Sequence, residues 1–253
     1  MKIQYCSDLH LEFPENDLLL QRSPLEVAGD VLILSGDIVP FRFMSKFAHF
    51  FDYISDHYKT VYWLPGNHEY YGSDASERSG EVYEEIRSNV FLVNNIAVKE
   101  GDLRLVFSTL WAYIHPDNEY FITKGISDFR AIKYKHRQLQ ANHFNYLHHT
   151  CMTFLKNTLN EKVSGQTIVA THHVPTKLNY PAQYKNSVYN DAFVVELYDL
   201  IADTQPDYWI YGHHHTNTPA FNIEKTVLLT NQLGYVHSGE HLTFNRGAYV
   251  SID

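Results

Sequence analysis

Histidines, carboxylates and one amide gather in five short strings of this chain. They are Ser7-Asp8-Leu9-His10, Gly36-Asp37, Gly66-Asn67-His68-Glu69, Thr171-His172-His173 and Gly212-His213-His214-His215. Oxygen and imidazole donors without sulfur suit manganese, iron, zinc or a similar first-row ion. Seven candidate ligands exceed what one tetrahedral site takes, whereas two ions sharing Asp37 as a bridging carboxylate use them well. Beside the amide of Asn67, the imidazole of His68 can carry a proton. Each string alone is also what a turn, a cap or a surface histidine would give. Each of the five, however, directly follows a predicted strand.

Those strands are Ile3–Cys6, Val31–Leu34, Val61–Leu64, Thr167–Ala170 and Tyr208–Ile210, all short and apolar. Asp8 and Asp37 stand 29 residues apart, and Asp37 and Asn67 stand 30 apart, each about one βαβ unit. The three ends are therefore expected on neighbouring parallel strands, with the donors converging at the carboxyl-end crevice. A helix is predicted from Phe43 to Tyr58, where Phe43, Phe47, Phe50, Ile54 and Tyr58 fall at helical spacing. Val90–Val93 and Ile96–Val98 read as a hairpin about Asn94-Asn95, and Gly101-Asp102 turns into a strand from Leu103 to Phe107. This meander predicts mixed sheets. Phe144, Leu147, Cys151, Phe154 and Leu155 mark a long amphipathic helix, and Asp191 to Ala202 reads as another. Final strands are expected near Ala220–Ile223, Val227–Thr230 and Ala248–Ile252. Trp111 to Lys135 is aromatic and without clear period, and is expected to be a long loop over the site. With no internal repeat and no linker, residues 1–253 are expected to form one domain.

The net charge of −9 argues against a broad electrostatic grip on nucleic acid. It leaves room for a phosphate-bearing small molecule, because bound cations invert the local field. Cys6 and Cys151 make neither a disulfide framework nor a thiolate zinc site, which suits a reducing compartment. No apolar run approaches the ~18 residues of a membrane span, and Asp8 and His10 leave no room for a cleavable leader. A mature chain starting near Met1 in the cytoplasm, with no evident partner protein, is the expectation.

In this order the five strings resemble those of the calcineurin-like metallophosphoesterases, across nearly the whole chain. The resemblance implies a four-layer αββα sandwich of two mixed sheets flanked by helices. It implies that Asp8, His10 and His215 hold one ion, that Asn67, His172 and His213 hold the other, and that Asp37 bridges. His68 becomes the proton donor to the leaving oxygen, with Asn67 also touching the phosphate. Manganese is the expected metal, with iron, zinc, nickel or cobalt as alternatives. Two such ions about 3.5–4 Å apart activate a water as hydroxide for attack on phosphorus. The implied activity is hydrolysis of small phosphoesters or nucleotide-type esters, monoester or diester. A nuclease is the alternative, and a catalytically inactive scaffold is disfavoured because every ligand position is retained. Many relatives carry Gly-Asp-x-x-Asp, whose second Asp orients the catalytic histidine; here that position is Pro40. Tyr70, Tyr71, Arg42 and Arg130 are candidate substrate contacts, although an ion pair with Asp128 is the stronger expectation for Arg130. His173 and His214 are expected to be structural.

Overall fold

Parallel strands that are apolar on both faces need cover on both sides. The chain supplies it by stacking two six-stranded sheets between helices, in a computed structural model that describes residues 1–252. β1 (Lys2–Cys6), α1 (Pro14–Arg22), β2 (Val31–Ser35), α2 (Ala48–His57) and β3 (Thr60–Leu64) form two successive βαβ units with the strands parallel and adjacent. β4 (Val82–Arg87) and β5 (Val90–Asn94) follow as an antiparallel pair, with β5 parallel to β3. The chain then crosses to the second sheet, where β6 (Ile96–Glu100) and β7 (Leu103–Ser108) pair antiparallel. Next come α3 (Glu119–Gly125), α4 (Asp128–Ala131) and a small ribbon of β8 (Lys133–Tyr134) with β9 (Arg137–Gln138). After α5 (Ala141–Asn160), β10 (Thr167–Thr171) lies parallel between β7 and, beyond α6 (Tyr198–Thr204), β11 (Tyr208–Tyr211). β12 (Phe221–Ile223) and β13 (Thr226–Thr230) complete that sheet, and β14 (Tyr249–Ser251) returns to pair with β1.

Strand alternation builds the layers. Val31 and Ile33 of β2 face a core between the sheets with Tyr62, Phe107, Ile168 and Ile210. Leu32 and Leu34 face the opposite way, into the cluster that holds Phe51 and Ile54 of α2, while Phe144, Leu147 and Cys151 of α5 cover the second sheet. The result is the four-layer αββα sandwich. At the site end the two sheets join: Ser7 N donates to Asn231 O (3.1 Å) and Leu233 N donates to Ser7 O (3.1 Å).

Four sequence expectations are corrected here. Val90–Val98 is not a hairpin, because β5 and β6 belong to different sheets. Asn94 instead steers the crossing, donating to Ser79 O and Gly80 O and accepting from Thr109 N. The stretch expected to be a helix from Phe43 is a 3₁₀ turn over Phe41–Phe47 before α2 begins at Ala48. Asp191 to Ala202 is not one helix: Val195 N donates to Val174 O and Val174 N to Phe193 O, so the chain is extended there before α6. Trp111 to Lys135 contains α3, α4 and β8.

Candidate dinuclear metal centre

Backbone geometry explains how adjacent residues aim into one crevice. Asp8 (φ 56°), His10 (46°), Asp37 (56°), His213 (81°) and His215 (51°) all occupy the left-handed region, which costs a side-chain-bearing residue about 1–2 kcal/mol. Strain of that kind, gathered at one place, marks a functional site. Glycine gives the approach: a Cβ on Gly66 would collide with Asp37 Oδ1 and with the His172 ring.

The outer bonds of each imidazole fix which nitrogen faces inward. His10 Nδ1 lies 3.2 Å from Glu12 Oε1 and His215 Nδ1 lies 2.8 Å from Glu240 Oε2, so both donate outward. Their Nε2 lone pairs then face each other at 3.0 Å, with Asp8 Oδ1 3.3 Å from His215 Nε2. His172 Nδ1 donates to Ser35 O (3.0 Å), and His213 Nε2 points at Ala192 O (3.4 Å). His172 Nε2 therefore meets His213 Nδ1 at 3.0 Å and Asn67 Oδ1 at 3.1 Å, three lone pairs together. Asn67 is turned this way because its Nδ2 donates to Asp128 (2.9 Å). Asp37 spans the two groups, with Oδ1 3.4 Å from His172 Nε2 and Oδ2 3.7 Å from His10 Nε2. Facing lone pairs repel unless a cation lies between them, so the donor set fits metal ions.

The electrostatics agree. Burial disfavours charged imidazole, yet Asp8 and Glu240 outweigh it and raise His215 to about 10. Asp37 and Asp8 likewise raise His172 to about 9 against burial. The carboxylates thus draw positive charge inward, as they would toward a metal ion. His213 stays neutral, its pKa lowered by burial and then by His173 and His172.

Three carboxylates that were not among the expected site residues complete the surroundings. Glu12 Oε1 accepts from both His10 Nδ1 and His68 Nδ1 (3.0 Å), and these bonds outweigh burial to hold its carboxyl at about 2. Burial pushes the His68 pKa down, but Asp37 and Glu12 reverse this and raise it. Glu12 therefore steadies His68 where Pro40 cannot. The alternating Asp8-Leu9-His10-Leu11-Glu12 was the available signal. Glu69 is fully buried and accepts from Asp37 N (2.9 Å), Ile38 N (2.7 Å), Gly66 N (2.7 Å) and Trp63 Nε1 (3.0 Å). Asp128, also buried, accepts from Tyr71 as well as Asn67, and burial raises its pKa.

A cavity of about 600 Å³ opens over the centre, lined by Asp37, Asn67, His68, Tyr71, His213 and His215. Tyr71 stacks on His68 with ring centres 4.1 Å apart. The other suggested substrate contacts lie elsewhere. Tyr70 is wholly buried, its hydroxyl donating to Arg78 O. Arg42 packs over the Phe43 ring. Arg130 donates to Lys124 O and makes no ion pair with Asp128 among the described residues. The segment from Trp111 to Lys135 reaches the cavity through Gly125 to Asp128 alone, and Trp111 itself is core. His173 and His214 are buried; His173 donates to Thr109 O, and His214 Nδ1 accepts from Gln232.

A two-sheet sandwich with this donor set at its joined strand ends defines a metal-dependent phosphoester hydrolase, and comparison agrees. Residues 1–217 match the family described as calcineurin-like phosphoesterase, and the chain belongs to that family. An uncharacterized protein, L509, of Acanthamoeba polyphaga mimivirus is 32% identical over 99% of this chain and 96% of its own length. The crystal structure of phosphopantetheinyl hydrolase from Mycobacterium tuberculosis superimposes with a TM-score of 0.74, covering 100% of this chain and 96% of that one at 14% identity. That likeness is one of fold. The family implies a dinuclear metal site, and none of the described helices is long and apolar enough to cross a membrane.

Proposed function

We propose that the protein hydrolyses small-molecule phosphoesters at two first-row metal ions held by these residues. The single observation that carries this reading is the pair of convergent lone-pair groups joined by Asp37. Asp8, His10, His215 and Asp37 hold one ion; Asn67, His172, His213 and Asp37 hold the other. Manganese suits this mixed oxygen and imidazole set without sulfur, with iron, zinc, nickel and cobalt as alternatives. When bound, such a pair polarises the phosphoryl oxygens and supplies a water-derived nucleophile at neutral pH.

The chain's own residues do the rest. Glu12 binds Nδ1–H of His68, leaving Nε2 as the atom that gives its proton to the departing oxygen. Against burial, Asp37 and Glu12 raise the pKa of that ring. Asp128 turns the Asn67 carbonyl toward the metal position, and Tyr71 holds the His68 ring plane. The same centre serves monoesters and diesters. No lysine or arginine lines the cavity among the described residues, which disfavours nuclease action. Two free, buried thiols are consistent with a reducing cytoplasm. The test is a screen of manganese-loaded protein against aryl phosphomonoesters, aryl phosphodiesters and cyclic nucleotides. Turnover abolished by a chelator is expected; no turnover with any first-row metal would refute the reading.

A further inference from the structure

The cavity has a chemical bias that the metal centre does not dictate. Its volume, about 600 Å³, is that of a small-molecule pocket. Although the chain has 20 lysines and arginines, none of them lines it among the described residues. The nearest acidic groups are committed: Glu240 to His215 and to Tyr235 N, Asp128 to Asn67 and Tyr71. The rest of its walls are largely aromatic. Phe13, Tyr180, Tyr184 and Tyr189 line the cavity, and Tyr184 and Tyr189 remain 37% and 40% exposed.

The Tyr189 segment is held in place. Gly125 leaves space for Tyr189, since a Cβ there would stand 2.5 Å from its ring. Asp191 accepts from His115 N (3.1 Å) and Asn118 Nδ2 (2.8 Å), tying the Tyr189 segment to the one that carries Gly125. A flat face at the mouth of a phosphate-binding centre gains by stacking. A second phosphate would bring up to about two further negative charges beside carboxylates and meet no cation.

We propose that this pocket selects phosphoesters bearing one phosphoryl group on a flat aromatic or nucleoside-type group. The inference rests on the reading above for its phosphate end. It excludes polyphosphates and purely aliphatic sugar phosphates as preferred substrates, and it makes Tyr184 and Tyr189 specificity determinants.

The test uses manganese-loaded full-length protein with adenosine 5′-monophosphate, ribose 5-phosphate, adenosine 5′-diphosphate and phosphocholine, and with the methyl diesters of the first two. The first two share a primary alkyl leaving group, so only the base differs. A kcat/KM ratio of about tenfold or more for the nucleoside ester over its ribose counterpart is expected, in the ester form that turns over. The diphosphate should fall below the monophosphate. Tyr189→Ala should carry the ratio toward one, and Gly125→Ala, which displaces that ring without touching a ligand, should do the same. A ratio near one, or preference for the diphosphate or phosphocholine, overturns the inference; hydrolysis of ribose 5-phosphate would still uphold the general activity. Calorimetry of adenosine against ribose gives a second readout that needs no turnover. Tighter adenosine binding that Tyr189→Ala weakens supports the pocket assignment even if none of these esters is cleaved, and equal binding refutes it.

Discussion

Glu12 and Asp37 are both carboxylates within reach of His10, but they have different tasks. Asp37 spans the two donor groups, so Asp37→Ala should cost metal and activity together. His68 belongs to neither proposed ligand set, and His68→Ala should retain both metals while lowering turnover roughly 10²–10⁴-fold. The deficit should shrink for nitrophenyl esters, whose leaving group needs no proton. Loss of a metal from His68→Ala, measured by elemental analysis, would make it a ligand instead. Glu12→Gln should lower turnover less than His68→Ala and show the same leaving-group dependence, because it weakens the hold on His68 Nδ1. At this scale the donors were legible because each follows its strand directly. Glu12 was not, because one partner lies 56 residues away and only folding brings that ring to its oxygen. Arg42 and Arg130 were singled out for their charge near the motifs, and packing turned both away.

Elements meet at the site through buried carboxylates. Glu69 gathers the loop after β2 and the end of β3 by accepting four N–H groups, although burial and then Asp37 push its carboxyl up to about 8 against the bonds from Ile38 N and Trp63 Nε1. Glu69→Gln turns an amide donor toward other donors, at about 1–3 kcal/mol for each one left unsatisfied. Thermal scans should show Tm lower by about 5–10 °C; an unchanged Tm would contradict the clamp. Asp74 ties its own turn to the loop between β8 and β9, accepting from Ser76 N and from Lys135 N (each 3.0 Å). Burial opposes its charge, but the Ser76 hydroxyl and then His136 N, which also donate to it, prevail together with those bonds and lower its carboxyl to about 2, below the ordinary carboxylate range. The unfolded chain then binds the proton more readily, so Asp74 stabilises fully above about pH 4 and loses its effect as pH falls toward 2. Asp74→Asn should destabilise at pH 7, with the difference narrowing below about pH 4; a difference constant down to pH 3 would contradict this. The strands themselves were legible from apolar runs and turn residues. The β5–β6 crossing was not, because Asn94-Asn95 suits a hairpin locally and only pairing with separate neighbours sends the strands to different sheets.

Across the whole molecule, the two sheets meet at the ends of β1 and β13, and β1, β2, β3, β10 and β11 bring their carboxyl ends to that seam. The unfolded chain has no such site, so metal binding should stabilise the fold, by about 2.7 kcal/mol at a hundredfold excess over Kd for one site. The parallel strands were legible through βαβ spacing and the layered fold through the family that the ordered motifs resemble, while the aromatic cavity depends on rings from distant segments and was not. The most direct test is titration of chelator-stripped protein with manganese, following bound metal, Tm and phosphoester turnover in the same samples. The account predicts saturation at two ions per chain, a rise in Tm, and turnover that appears as the second ion binds. Saturation at one ion, or full turnover in the presence of chelator, would contradict it.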